Sequence, residues 1–388
     1  MRICVIYDCL YPHTVGGAER WYRNLAERLA AEGHEVTYLT LRQWDRGETP
    51  ELAGGRVRVV SAGPRMSLYT REGRRRIAPP LLFGLGVFAH LLRRGRRYDA
   101  VHTCSFPYFS LLAAAVARPL GGYELTVDWF EVWSDPYWRE YLGGVGGRVG
   151  ALVQRLCARV RQRAFCYSNL HAVRLREEGL RGEVTVLRGL YAGPAEPVQV
   201  RPAERVVLFA GRLIPEKQAP LAVAAMALAA QRIEGLTGEV LGDGPEREAV
   251  RAAIAEHGPQ SVSARGFTSA ETVAREMRRA LCLLLPSVRE GYGLVVVEAA
   301  ARGTPSIVVA SPDNAAVELI EQGINGFVCA SSDPQAIAEA IVRAFEAGTE
   351  LRESTARWYE RHAHELSLEG SLERVLASYG GSPVSQSP

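Results

Sequence analysis

Two glutamates, Glu290 and Glu298, stand eight residues apart in the stretch LCLLLPSVREGYGLVVVEAAARGTPSIVV, which is otherwise largely apolar. Charged residues beside such a stretch are hard to explain as packing. Between them Gly291, Tyr292, Gly293 and Leu294 lead from a strand-like run into a helix-like one. Glycines at a helix start bare backbone N–H groups, an arrangement that receives anions. Eight helical residues span about 12 Å, less if the loop folds back. That is close to the separation of sugar and ribose in a nucleotide sugar, with its diphosphate between them. Glu290 is thus a candidate for hexose hydroxyls and Glu298 for ribose hydroxyls.

A second group lies upstream, in FAGRLIPEK (209–217). Gly211 permits close backbone approach, and Arg212 and Lys217 set two cations past the carboxyl end of a strand, where open α/β sheets bind ligands. Arginine grips a phosphate bidentately and lysine acts as a movable point charge. Of 46 basic residues 45 are Arg, and Lys217 is the one lysine. Its survival in so Arg-biased a chain favours a diphosphate clamp over a solvated surface charge. Two nearby turns are weaker signals. LGDGPERE (241–248) is most simply structural. ARGF (264–267) offers Gly266 and Phe267 either to a base ring or to ordinary turn packing.

The elements that must position these groups follow from periodicity. ICVIYD is a buried strand, a Gly16-Gly17 loop follows, and a helix covers about Glu19–Glu32. HEVTYLTL, RVRVVSA, DAVHTC, YELTVDWF, AFCYS and EVTVLRG continue the strands, with helices through LLAAAVA and GRVGALVQRLCARVRQR. RGLYAGPAEPVQVRPAE reads as a linker, and RVVLFAG restarts the alternation. The expected fold class is therefore α/β, with two Rossmann-like domains facing each other across a cleft. The expected boundaries are 1–188 for the first domain, 189–204 for the linker and 205–355 for the second. A helical region at 356–379 packs back on the first domain in this reading, and 380–388 is a disordered tail. At 388 residues, two such domains are the expected number.

Composition narrows the classes. With 47% hydrophobic and 23% charged residues the chain is an ordinary globular protein. Seven cysteines, an odd number without a C-x-x-C, read as reduced buried thiols in a cytoplasmic protein. The N-terminus lacks the pattern of a secretory signal. Residues 1–200 hold 28 basic and 19 acidic residues against 18 and 24 in the remainder, so the first half suits an acidic partner. No zinc spacing, RNP motif or helix-turn-helix accompanies that charge, which argues against nucleic acid. The segment 77–92, IAPPLLFGLGVFAHLL, is flanked by arginine clusters and is too short to span a bilayer. It is either a buried helix or a basic, apolar element for peripheral contact with an anionic membrane.

On the E-x7-E motif at Glu290–Glu298 and G-R-L-x-x-x-K at Gly211–Lys217, the sequence resembles glycosyltransferase family 4, a group of retaining two-domain GT-B enzymes; the resemblance covers nearly the whole chain. It implies that the first domain binds the acceptor and the second the nucleotide sugar, that Arg212 and Lys217 bind the donor diphosphate and that Glu290 contacts the donor sugar. It further implies that the amides of Gly291 through Leu294 contact sugar and phosphate, and that Glu298 contacts the ribose. In the first domain VGGAER resembles the family's Gly-rich loop, which sets Gly16 and Gly17 against the donor phosphates and the acceptor. His102 ends a strand as the family's histidine-bearing segment does, and is either a ligand or a packed residue. VDWFEVWSDPYW resembles a segment that usually reads His-Glu-Val-Trp, but Phe130 stands where the histidine belongs. Asp128 or Glu131 is then the candidate to position the acceptor hydroxyl. Trp129, Phe130, Trp133, Tyr137 and Trp138 are either an acceptor platform or core.

The expected activity is transfer of a hexose from a UDP- or GDP-type sugar to a hydroxyl acceptor, with retention by same-face attack and closure of the domains to exclude water. No D-x-D occurs, so no metal or other cofactor is expected. The expected location is the cytoplasm, with peripheral contact at the inner face of the membrane. A nucleotide-sugar epimerase, a glycan phosphorylase and a non-catalytic nucleotide-sugar-binding subunit are the alternatives on this scaffold. A dinucleotide dehydrogenase fits poorly, because no G-x-G-x-x-G opens the first helix.

Overall fold

The computed structural model describes residues 1–379 except 15, 46, 49, 69–75, 77 and 194–199. The tail 380–388 and the middle of the expected linker lie outside the described residues.

The chain divides into two compact units. The first holds a seven-stranded sheet: β1 (Arg2–Ile6), β2 (Glu35–Thr40), β3 (Val57–Ser61), β4 (Ala100–Cys104), β5 (Glu124–Trp129), β6 (Arg163–Cys166) and β7 (Val184–Val186). Its order is β3-β2-β1-β4-β5-β6-β7 and every pairing is parallel. Five helices join the strands: α1 (Gly17–Ala31), α2 (Ala78–Arg94), α3 (Phe109–Gly121), α4 (Asp135–Ala158) and α5 (Asn169–Glu177). From Ile3 to Ile6 in β1 and throughout β4 every residue is buried, without alternation, because helices cover both sheet faces.

The second unit repeats the plan with β8 (Val206–Ala210), β9 (Thr237–Leu241), β10 (Val262–Gly266), β11 (Cys282–Leu285), β13 (Ser306–Val309) and β15 (Gly326–Cys329), in the order β10-β9-β8-β11-β13-β15. Two short strands, β12 (Arg289–Glu290) and β14 (Asp313–Asn314), pair beside it. The helices are α6 (Ala219–Ala230), α7 (Arg247–His257), α8 (Ala270–Arg279), α9 (Leu294–Ala300) and α10 (Pro334–Leu366). Val207, Phe209, Leu284 and Ile307 pack one sheet face against Met226, Ile337 and Ile341. Leu208, Leu283 and Leu241 face Met277 and Ala299 on the other.

The second unit reaches beyond the expected 205–355, to Tyr191–Ser367. The reason is α10, which breaks at Gly348 (φ 55°) and then continues with the second unit as far as Leu366. Arg352, 2% exposed, fastens it by donating to the carbonyls of Arg201, Ala280 and Arg278. Burial without a carboxylate partner lowers its pKa to about 10. Beyond it, Trp358 donates to Glu321 at 2.7 Å, and the Tyr191 amide bonds the Leu366 carbonyl. Only the final helix, α11 (Leu368–Tyr379), belongs with the first unit. Glu369 pairs with Arg28 at 2.8 Å and Arg163 donates to the Ser378 carbonyl. All seven cysteines are buried free thiols.

One element departs from a simple rod. α4 turns back on itself at Gly143 (φ 76°, ψ −179°). A Cβ on Gly147 would lie 2.6 Å from the Trp138 carbonyl oxygen and 2.7 Å from the Arg139 Cα. The two half-helices, 135–142 and 144–158, therefore touch backbone to backbone, which explains the run GGVGGRVG. Gly147→Ala should lower stability by about 2 kcal/mol in urea unfolding. Gly144→Ala, where a Cβ meets nothing within 4 Å, should change it by less than about 1 kcal/mol.

Candidate active site

In the second unit the strand order reverses between β8 and β11, so the loops that leave these neighbouring strands diverge and open a crevice. The β8 loop runs from Gly211 through a single 3₁₀ turn, Pro215–Lys217. Gln218 ends the turn in the left-handed region (φ 51°) and starts α6. The β11 loop carries Arg289 and Glu290 in β12. The Val288 amide donates to the Glu216 carbonyl at 3.0 Å, and Arg289 approaches the Glu216 carboxylate at 3.6 Å. Above this seam the Lys217 ammonium donates to Glu290 Oε1. The side chains are 18% and 9% exposed, so the pair is largely withdrawn from water yet reachable.

The turn after β9 holds the β8 loop in place. Gly211 and Leu213 amides bond the Leu241 and Asp243 carbonyls at 3.0 Å each. A Cβ on Gly242 (φ 147°) would lie 1.8 Å from the Gly211 carbonyl oxygen. LGDG is thus a backbone buttress under Arg212, and the structural reading of it stands. The Gly242 amide bonds the Gly266 carbonyl at 2.9 Å, which carries the seam on to β10. There Gly266 (φ 73°) turns the chain and leaves Phe267 83% exposed at the sheet edge. Turn packing accounts for Gly266 and not for Phe267. Arg212 is also exposed.

Gly293 (φ 95°) precedes α9 and packs so close to Ala316 that a Cβ would lie 2.6 Å from that side chain. Tyr292 is buried; Gly291, Leu294 and Glu298 are half-buried. Glu298 lies four residues into α9, roughly 6 Å along the helix from Leu294. The helix has seven residues, so its dipole is short and individual amides matter more than the macrodipole. Nearby, burial and then the Glu216 charge raise the Glu246 carboxyl above the usual carboxylate range.

Asn314 carries no motif and was missed by sequence reasoning. It is 1% exposed, donates to the Ser287 and Val309 carbonyls and accepts from the Ala316 amide. It therefore ties the β11 loop to the segment against which Gly293 packs. An asparagine in a loop gives no periodic signal, so only the tertiary hydrogen bonds reveal it.

In the first unit the candidates separate into two groups. His102 and Asp128 are fully buried. His102 Nε2 lies 3.1 Å from Asp128 Oδ2, His102 Nδ1 lies 2.8 Å from the Tyr379 hydroxyl, and Trp21 Nε1 donates to Asp128 Oδ2 at 2.8 Å. The expectation that they act on substrate directly is corrected: both sit beneath the surface, where they join β4 and β5 to α1 and α11. Glu131 and Trp133 are half-buried, and the Trp133 indole donates to Glu131 at 2.7 Å. Phe130 stacks on Tyr167 with ring centroids 4.6 Å apart. Trp129, Tyr137 and Trp138 are core, so of the five aromatics only Phe130 and Trp133 are left to serve as a platform. Trp133 also lines a cavity of about 290 Å³ with Ser134, Asp135, Arg155, Arg174 and Glu178. Gly16, in extended backbone, caps α1, and Gly17 is exposed at its start.

The family description "Glycosyl transferases group 1" matches residues 196–362, and "Glycosyl transferase 4-like domain" matches residues 16–190. The chain belongs to the group 1 glycosyltransferases of the family 4 type, with the two parallel α/β units of the GT-B architecture. The D-inositol 3-phosphate glycosyltransferase of Acidothermus cellulolyticus is 26% identical over 83% of this chain and 82% of its own. The glycogen synthase of Mycobacterium tuberculosis is 27% identical over 88% of this chain and 85% of its own. A D-inositol 3-phosphate glycosyltransferase of Segniliparus rotundus is 31% identical over 46% of this chain, a match that spans only 40% of that relative. Among solved structures, Anabaena HepE in complex with UDP has a TM-score of 0.71 at 18% identity, covering 98% of this chain and 100% of its own. Sucrose-phosphate synthase from Thermosynechococcus elongatus has a TM-score of 0.74 at 19% identity, covering 98% of each chain. At such identities the likeness is one of fold.

Asp128→Ala should destabilise the chain by about 3 kcal/mol in urea unfolding, because it strips buried partners from Trp21 and His102 at once.

Proposed function

We propose that this chain is a retaining hexosyltransferase that moves a sugar from a UDP- or GDP-type donor to a hydroxyl acceptor without a metal ion. The observation that carries the reading is the Lys217–Glu290 pair at the strand-order reversal of the second unit. A lone ammonium held on a lone carboxylate is satisfied without ligand, yet each group suits a different part of a nucleotide sugar. The donor's diphosphate draws Lys217 and the exposed Arg212 to its oxygens. Glu290, released, accepts hydrogen bonds from hexose hydroxyls, and Glu298 accepts them from the ribose. The amides of Gly291 through Leu294 lie between, and Phe267 offers an apolar face to the base. Gly211 lets the phosphates approach the β8 loop. The HepE structures that hold UDP and UDP-glucose favour a uridine donor.

The anomeric C–O bond breaks through an oxocarbenium-like state, and the acceptor oxygen attacks from the face the diphosphate leaves. The acceptor proton passes to the departing phosphate oxygen. Arg212 and Lys217 stabilise the charge that grows there, the electrostatic task a metal performs elsewhere. The family resemblance assigns Gly16 and Gly17 to the phosphates and the acceptor. Glu131 and Trp133 orient the acceptor, with Phe130 presenting a ring in place of an imidazole. The acceptor is a glycan, a lipid-linked sugar or a small molecule. The enzyme works in the cytoplasm, and its basic first unit meets the inner face of the membrane.

Lys217→Ala and Glu290→Ala should each lower transfer about a hundredfold or more while the circular dichroism spectrum is unchanged. Wild-type turnover in either variant would refute the clamp. A thermal-shift screen should show stabilisation by UDP or GDP and their sugars, lost in Lys217→Ala. A product assay with and without acceptor separates transfer from epimerisation.

A further inference from the structure

The segment 77–92 left two readings open, and α2, which covers its described part, has apolar residues on a buried side and on an exposed one. α2 buries Phe83, Val87 and Leu91 against the first unit and exposes Leu81, Leu82, Leu85 and Leu92. Leu85 is 65% exposed. A helix with leucines on both sides is covered on one side by its own fold and lacks cover on the other.

The neighbouring helices extend that face. The crossovers β3 to β4, β4 to β5 and β5 to β6 all advance in the same direction across a parallel sheet. Right-handed crossovers of one direction put their helices on one face. α2, α3 and the second half of α4 are therefore flanking layers on the same side, opposite α1. On α3, Val116 and Leu120 are exposed. On α4, Val145, Val149, Leu152 and Leu156 recur at helical spacing, all more than half exposed. Val145, at 78%, stands at the tip of the helical hairpin that the glycine contacts hold together.

The charge on these elements is mainly positive. Residues 78–97, 109–121 and 135–158 contain eight arginines against two carboxylates, Asp135 and Glu140. Two of the arginines, Arg93 and Arg94, line a cavity of about 220 Å³ with Ser61, Gly86 and His90. Their guanidiniums offer paired donors that suit phosphate oxygens. A second copy of the chain would set arginines against arginines. Nucleic acid would meet the charge and leave ten apolar side chains in water. An anionic bilayer satisfies both, with acyl chains for the leucines and valines and phosphates for the guanidiniums.

The geometry points to the outer face of α2, α3 and the α4 hairpin as the surface on which this chain docks to an anionic lipid bilayer, Arg93 and Arg94 taking lipid phosphates. The inference rests on the membrane contact in the function proposed above and gives it a definite place. Among the described residues no helix is long and apolar enough to cross a membrane, so the contact is one of docking.

The test is flotation of the full chain with phosphatidylcholine vesicles containing about 30 mol% phosphatidylglycerol, against vesicles of phosphatidylcholine alone. The chain should float with the anionic vesicles, stay behind with the neutral ones, and detach as salt screens the arginines. Leu85→Glu and Val149→Glu should each weaken the partition about tenfold. Both side chains are exposed, so the variants should keep the wild-type melting temperature. Arg251→Glu, on the exposed face of the second unit, should float as the wild type does. Equal flotation with both vesicle types, or flotation unaffected by the two apolar substitutions, overturns the proposal. So does a concentration-dependent dimer in sedimentation that Leu85→Glu dissolves, since the face would then be covered by a second copy. UDP and GDP thermal shifts are recorded on the same samples. A chain that shifts with nucleotide and ignores the vesicles overturns the docking face and leaves the transferase reading standing. A chain that floats and shows no nucleotide shift does the reverse.

Discussion

The contact between the Lys217 ammonium and the Glu290 carboxylate is the interaction through which the β8 and β11 loops meet at the candidate site of the second unit. Two oppositely charged groups with little exposure offset each other's loss of hydration when paired. Their pairing fixes the relative height of the β8 and β11 loops. The backbone bond from Val288 to Glu216 and the Arg289–Glu216 contact repeat that constraint beside it. A site made this way is preorganised without ligand and can exchange one anionic partner for another. That is what a clamp for a charged leaving group requires.

The glycines around this pair are there for approach rather than freedom alone. At Gly242 and Gly293 a side chain would collide with a neighbouring loop. They let three successive loops at the carboxyl edge of the sheet pack through backbone, leaving Arg212 and Phe267 to point outward. Asn314 does the same work from behind with a side-chain amide. The site is therefore a property of loop-to-loop packing, with the motif residues set on top of it.

The first unit shows a different use of polar groups. Asp128, His102, Trp21 and Tyr379 form a buried polar cluster drawn from two strands and two helices. Such a set specifies how α1 and α11 lie on the sheet, because a shift of either would leave buried donors unpaired. Since Gly16 and Gly17 stand at the start of α1, the network also sets where that loop emerges. Glu131 and Trp133, only a few residues beyond Asp128, are half-buried and hydrogen-bonded to each other.

The sequence by itself determined the alternation of strands and helices and the repetition of the plan in two units, and it singled out Arg212, Lys217, Glu290 and Glu298 as a candidate group. These are readable because apolar periodicity and residue type are local properties. Tertiary structure alone decided which polar residues reach the surface and which face the core. His102 and Asp128 look in sequence like any histidine and aspartate at strand ends, and only packing shows them enclosed. It also decided that α10 runs on to Leu366, because the cost of burying Arg352 is met by carbonyls far away in the chain. And it decided that α2 and the α4 hairpin leave apolar residues in water. Amphipathicity along a helix is written in the sequence, but which side the rest of the protein covers depends on where the strands before and after it are placed.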